Sequence, residues 1–200
     1  MAYPIIIEQL IERLTRLPGI GRRGAERIVF WMLDQSEEDV AALATNIVHI
    51  KRKLRFCPYT NNLTQDDVCP IYQNDQRDRK IVCIVESPKD LLAIEKTGSY
   101  KGLYYVLLST ISPSEGRGPE DLNISKLNAL LENNPIEEVV LATDADAEGE
   151  MTALHLSKVL KNKGIKVSRI GVGLPAGGSV EFADMSTLSM SLNARKEVVA

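Results

Sequence analysis

The chain has only three cysteines, an odd number, and Cys83 sits inside the apolar run Ile81–Val85. A secreted scaffold stapled by disulfides needs paired cysteines, so reduced thiols are expected, and Cys83 reads as a small core residue. Long hydrophobic runs are also missing. The longest, such as Val139–Ala142, fall far short of the roughly 20 apolar residues that span a bilayer, so no membrane span is expected. The opening Met1-Ala2-Tyr3-Pro4-Ile5-Ile6-Ile7-Glu8 has no basic start and carries an acid inside its apolar stretch. It reads as no secretory signal, and a cytoplasmic location is expected. Internal repeats and low-complexity tracts are absent. The net charge of −3 gives no whole-chain bias toward a polyanion.

What is present is ordinary for a folded protein: 44% hydrophobic and 26% charged residues in 200 positions. That length makes one large or two small domains, enough to bury a core without disulfides or a metal. Charge is unevenly spread. Between Arg13 and Arg27 stand Arg13, Arg16, Arg22, Arg23 and Arg27 against Glu26 alone, a local basic excess. From Lys80 to Pro175 the 11 basic and 13 acidic residues nearly balance, so the acids bunched at Asp144, Asp146, Glu148 and Glu150 form a local feature.

Hydrophobic spacing divides the chain. Ile6, Leu10, Ile11 and Leu14 fall at helical intervals, and Pro18-Gly19 stops that helix. Ala25, Ile28, Val29 and Met32 resume the spacing, and Ser36 followed by Glu37, Glu38 and Asp39 predicts the start of a third helix. Residues 1–55 therefore form a small helical unit. Residues 56–79 shift to Asn, Thr, Gln, Asp and Pro around two cysteines, which is loop or knuckle chemistry.

Residues 80–175 alternate strand and helix. Strands are expected over 80–86, 102–108, 137–143 and 166–172, with helices over 88–97, 124–133 and 148–162. Short Val/Ile/Leu runs between helices predict a parallel sheet covered on both faces. The fold class is thus α/β, with a helical N-terminal unit. Residues 176–200 carry too few large apolar side chains for a domain of their own, and are expected to pack on this chain or a neighbouring one.

Three stretches carry chemistry. In Leu17-Pro18-Gly19-Ile20-Gly21-Arg22-Arg23-Gly24-Ala25-Glu26-Arg27, Gly19 and Gly21 permit a tight turn that leaves backbone N–H groups at the start of the second helix. Those amides suit a phosphate, and Arg22, Arg23 and Arg27 add charge for a nucleic-acid backbone without reading bases. No strand precedes the glycines, so this is no dinucleotide site. The alternative reading is a helix turn with a solvated basic face.

In Cys57-Pro58-Tyr59-Thr60 and Cys69-Pro70-Ile71-Tyr72, only the first member of each Cys-x-x-Cys pair is present. Thr60 and Tyr72 stand where further zinc ligands would be, and neither His49 nor His155 is nearby in sequence. The segment reads as a knuckle without its metal, its shape kept by Pro58, Pro70 and packing of Tyr59 and Tyr72. His155 reads as a packing residue. No Gly-Lys-Ser/Thr follows the glycines after Gly171, so no ATP loop is expected.

Glu86 ends the first expected strand, and Asp144-Ala145-Asp146-Ala147-Glu148-Gly149-Glu150 follows the third. Carboxyl ends of parallel strands line the ligand crevice, where Glu86, Asp144 and Asp146 could hold a hard divalent cation such as Mg²⁺. The bland alternative is an acidic loop favouring a helix N-terminus.

The Leu17–Arg27 segment resembles a helix-hairpin-helix DNA-binding motif, and Glu86 with Asp144-x-Asp146 and Gly149-Glu150 resembles a Toprim domain. With Cys57, Cys69 and Leu174-Pro175-Ala176-Gly177-Gly178 in that order, the chain resembles the RecR family of bacterial recombination mediators. That resemblance implies a non-catalytic clamp on double-stranded and gapped DNA, assembled as dimers pairing into a tetrameric ring and acting with RecO and RecF to load recombinase. It implies that Arg22 and Arg23 face DNA. It also implies that Glu86, Asp144, Asp146 and Glu148 form a partner surface. Relatives carry zinc in the knuckle, whereas here no cofactor is expected to be required. The rival is a Mg²⁺-dependent Toprim nuclease or strand-transfer enzyme using Glu86, Asp144 and Asp146.

Overall fold

The computed structural model describes residues 3–122, 124–171, 173–195 and 197. The chain divides into two compact units, Met1–Leu54 and Arg55–Ala200. The first holds helices α1 (Ile5–Leu14), α2 (Arg22–Leu33) and α3 (Glu37–Lys53). Its core is small: Ile11, Ala25 and Val29 are buried, with Ile7, Leu10, Leu14 and Ile20 packed around them. These are the positions that helical spacing puts on one face of each helix. Ser36 caps α3, its hydroxyl oxygen accepting the Asp39 N–H at 3.1 Å, and Glu37, Glu38 and Asp39 complement the dipole in the first turn. No residue of α3 is buried.

The second unit begins with an element that the composition does not reveal. Residues 55–73 form a small antiparallel hairpin, β1 (Arg55–Phe56) with β2 (Leu63–Thr64), followed by the single-turn helix α4 (Pro70–Gln73). Two-residue strands leave no periodicity to read. Then β3 (Asp78–Val85), α5 (Pro88–Lys96), β4 (Gly102–Val106), α6 (Ile124–Glu132), β5 (Glu138–Ala142), α7 (Ala147–Lys161) and β6 (Lys166–Arg169) alternate. The four strands form one parallel sheet in the order β4-β3-β5-β6.

Both faces of that sheet are covered. Val82, Ile84, Leu103, Tyr105, Val139 and Leu141 meet Leu127 and Leu130 of α6 and Leu156 and Leu160 of α7 on one side. Cys83, Val85, Tyr104, Val106 and Ala142 meet Leu91 of α5 on the other. Alternate residues of β3 thus enter different cores, the consequence of the two-residue side-chain period. Burial pushes the Cys83 thiol up to about 12, as befits a core residue.

Strand β6 is shorter than expected, and Val172 lies outside the described residues. The tail contains a helix that sequence reading did not foresee, α8 (Met185–Asn193), capped by Asp184 through the Thr187 N–H. None of its residues is buried, and Phe182 and Met185 are 84% and 88% exposed. His155 is half-buried on α7. Among the described residues no helix is long and apolar enough to cross a membrane.

Candidate functional site

The glycine turn between α1 and α2 opens α2 without a side-chain cap. Gly19 lies at φ +78°, the left-handed region that favours glycine, and no neighbouring atom would limit a side chain there, so backbone conformation alone accounts for it. Gly21 is the N-cap of α2, with no side chain capping the helix and no acid in its first turn. The first amides of α2 therefore keep their partial positive charge unneutralised by a neighbouring carboxylate in that turn.

The three arginines differ. Arg22 donates to Glu8 Oε2 at 2.8 Å and pairs with Glu26 at 3.4 Å. The Glu8 hydrogen bond, with the charges of Glu8 and Glu26, raises the Arg22 pKa above its ordinary value. Arg23 and Arg27 are exposed and form no ion pair among the described residues. Sequence reading put Arg22 and Arg23 forward together, but the structure ties Arg22 to α1 and leaves Arg23 and Arg27 free. The signal was Glu8, 14 residues before Arg22 and reachable only once α1 and α2 pack side by side.

The acidic residues gather where β3 and β5 end, as parallel-sheet topology dictates. Glu86 follows β3 and takes the Asp144 N–H on its Oε1 at 2.9 Å. Burial raises the Glu86 pKa, the Asp144 N–H partly offsets this, and the charges of Asp144, Asp146 and Asp90 raise it further. Asp146 caps α7 by accepting the Gly149 N–H at 2.8 Å. Gly149 is required here, because a Cβ would run into the Asp144 carbonyl. Glu148 turns away from this group. It accepts the hydroxyls of Ser112 and Thr110 and pairs with Arg117 at 3.6 Å. Glu150 pairs with Arg169, which also donates to the Asp144 carbonyl at 3.1 Å.

The structure thus sets Glu86, Asp144 and Asp146 along the same carboxyl edge without converging them as ligands, and turns Glu148 away to other partners. Sequence reading missed Arg169 and Arg117, the cations that hold the flanking glutamates. Arg169 ends β6, so its location at the carboxyl edge was a usable signal. Leu108, just past β4, lies at φ +64° with its N–H on the Glu86 carbonyl at 2.9 Å. A non-glycine residue held there is backbone strain beside the crevice.

Neither metal-donor set is complete. Among the described residues no three His, Cys, Asp or Glu side chains converge as the ligands of an ion. In the knuckle Cys57 and Cys69 are both buried, and Thr60 and Tyr72 occupy the other ligand positions of a Cys-x-x-Cys pair. Tyr72 stacks on Tyr59, ring centres 4.6 Å apart and 6° from parallel, and Arg79 lies over it at 5.0 Å. The residues present do not fit tetrahedral zinc.

Three family models match the chain. One described as RecR, helix-hairpin-helix covers residues 7–51; one described as Toprim domain covers 80–171; one described as RecR, C-terminal covers 173–196. The basic turn lies inside the first and the acidic crevice inside the second.

Proposed function

Since the chain belongs to the RecR family, whose domains give it a role in recombinational repair, we propose that it is a non-catalytic clamp that holds DNA through the α1–α2 turn. One observation carries this reading. The α2 N-terminus has no capping side chain and no first-turn acid, and Arg23 and Arg27 beside it are unpaired. Free amides and two free guanidinium groups recognise phosphates without sequence preference. DNA, double-stranded or gapped, is the ligand that this chemistry fits, and the reading assigns DNA contact to residues 1–55. It keeps 56–79 as the knuckle, 80–175 as the Toprim region and 176–200 as the tail.

The non-catalytic part rests on how the carboxylates are used. Asp146 caps a helix, Glu86 holds the Asp144 amide, and Glu148 and Glu150 are paired with arginines. Asp144 and Asp146 remain exposed, and with Glu86 they offer an anionic surface to basic partner proteins, in the role that the family resemblance gives to RecO and RecF. The clamp works in the cytoplasm, requires no cofactor, and assembles from several copies.

DNA binding measured by fluorescence anisotropy on a gapped duplex, across a salt series, tests the proposal. Arg23→Glu with Arg27→Glu is expected to lower affinity about tenfold or more and to flatten the salt dependence by roughly 0.9 in log–log slope per lost phosphate contact. Arg22→Glu alone is expected to cost less, since Arg22 is already engaged by Glu8. Equal DNA binding by the double variant and the parent protein overturns the reading.

A further inference from the structure

The knuckle of residues 57–72 has a zinc-binding outline without a zinc donor set, yet its centre is buried. Cys57 and Cys69 are 0% and 2% exposed, and Thr60 and Asn61 are buried beside them. What fills the centre is hydrogen bonding to sulfur. Cys57 Sγ accepts the Cys69 N–H at 3.3 Å. Cys69 Sγ accepts Asn62 Nδ2 at a longer 3.7 Å. The two sulfurs are therefore unequal, whereas two zinc ligands would be equivalent donors.

The same turn is fastened to the sheet. Asn61 takes the left-handed conformation at φ +57°, which Asn tolerates better than most residues, and closes the loop through Asn61 N–H to Cys57 O at 3.0 Å and Cys57 N–H to Asn62 O at 2.8 Å. The Thr60 carbonyl then accepts the Val106 N–H at 2.9 Å, and Asn61 Nδ2 donates to the Val106 carbonyl at 2.8 Å. Lys126 donates to Asn61 Oδ1 at 3.2 Å. Strand β4 is an edge of the sheet, and these bonds satisfy backbone groups that its outer side would otherwise leave unpaired. Thr60 thus serves both ends: its hydroxyl accepts the Asn62 N–H within the turn at 3.4 Å and its carbonyl reaches β4.

We propose that this knuckle is a metal-independent clasp on the β4 edge, in which the Cys69 N–H on Cys57 Sγ and the Asn62 N–H on the Thr60 hydroxyl close the turn that a zinc ion closes in a four-ligand knuckle. The position that would supply a ligand three residues after Cys57 supplies a hydroxyl acceptor instead. The matching position after Cys69 is committed to the Tyr59–Tyr72 stack, whose Tyr72 hydroxyl accepts Asn134 Nδ2 at 3.3 Å. The clasp is independent of the DNA reading and concerns only the Arg55–Ala200 unit.

The test uses the full-length, reduced protein without a histidine tag. Elemental analysis is expected to find no zinc above trace, and a strong zinc chelator is expected to leave the melting temperature unchanged. Thr60→Val is expected to lower the melting temperature by about 2–6 °C and speed hydrogen exchange at the Val106 amide, with Thr60→Ser restoring both. Cys57→Ala is expected to lower the melting temperature at least about twice as far as Cys69→Ala, because it strips the Cys69 backbone N–H of its 3.3 Å partner, whereas Cys69→Ala removes only a 3.7 Å contact with a side-chain amide. Should Cys57→Ala not fold, the Thr60 pair carries the comparison alone. One zinc per chain, a chelator-induced loss of stability, equal losses for the two cysteine variants, or an unaltered Thr60→Val protein each overturns the proposal.

Discussion

Single residues in this protein carry roles that the sequence names only in part. Glu86 was legible as a strand-end carboxylate, because an acid directly after Ile81–Val85 has to emerge at the carboxyl edge of a parallel sheet. Its local role was not legible, since that depends on Asp144 arriving from 58 residues away to donate its N–H. Burial and neighbouring carboxylates raise the Glu86 pKa, so the folded state holds the proton more tightly than the unfolded one. The stability tied to this group is present in acid and is lost as pH rises through the folded value. Glu86→Gln keeps an oxygen for the Asp144 N–H and removes the charge. We expect its melting temperature to exceed that of the parent by about 1–3 °C near pH 7 and to match it in acid, measured by calorimetry across that range. A variant that melts lower at neutral pH would show that the charge itself stabilises the crevice.

At the scale of elements, the α/β alternation was readable because each strand is a short Val/Ile/Leu run and each helix is bounded by capping or breaking residues. Pro88 opens α5 with a Ser87–Asp90 capping box, and Asp146 caps α7. The hairpin β1–β2, the turn of α4 and helix α8 were not readable: their lengths are too short, or their side chains too small and polar, for periodicity to register. The bonds between elements were equally hidden. Arg77, just before β3, pairs with Glu95 of α5, donates to the Tyr100 and Gly102 carbonyls at 3.4 Å, and lies 6.0 Å over the Tyr104 ring. Its side chain is only 10% exposed, so removing one partner leaves a poorly solvated charge. We expect Arg77→Met to cost about 2–4 kcal/mol near neutral pH. The hydrogen bond from Arg77 lowers the Glu95 pKa, against an opposing effect of burial. That contribution is therefore present above the ordinary Glu value of 4.5 and fades as pH falls through the lower folded value. Denaturation of variant and parent should converge in acid, this variant melting below the parent at neutral pH where Glu86→Gln melts above it, and a constant gap at every pH would assign the loss to packing instead.

For the whole molecule the proposed clamp faces a difficulty of charge: a chain of net charge −3 would have to stay on an anionic polymer. On that reading Arg23 and Arg27 of one copy would give a weak, salt-sensitive contact, and several copies around one duplex would sum their fields and convert it to retention. The proposed assembly would have exposed apolar side chains of the helical unit to cover. Ile47 and Ile50 of α3 are 60% and 61% exposed, Trp31 of α2 is 52% exposed, and no residue of α3 is buried in its own unit. Where such side chains join into one contiguous patch they mark an interaction surface, and closed symmetric assemblies cover such faces with a second copy. The parent chain is expected to sediment as a dimer or larger. Ile47→Asp with Ile50→Asp should return the monomer while changing the folding stability of a single chain by no more than about 0.5 kcal/mol, because both side chains stand in solvent before assembly. Its DNA binding should then fall toward that of one isolated turn even though Arg23 and Arg27 are intact. Sedimentation velocity and the same gapped duplex decide it: a parent chain that stays monomeric, or a monomeric variant that holds DNA as firmly as the parent, removes assembly from the mechanism.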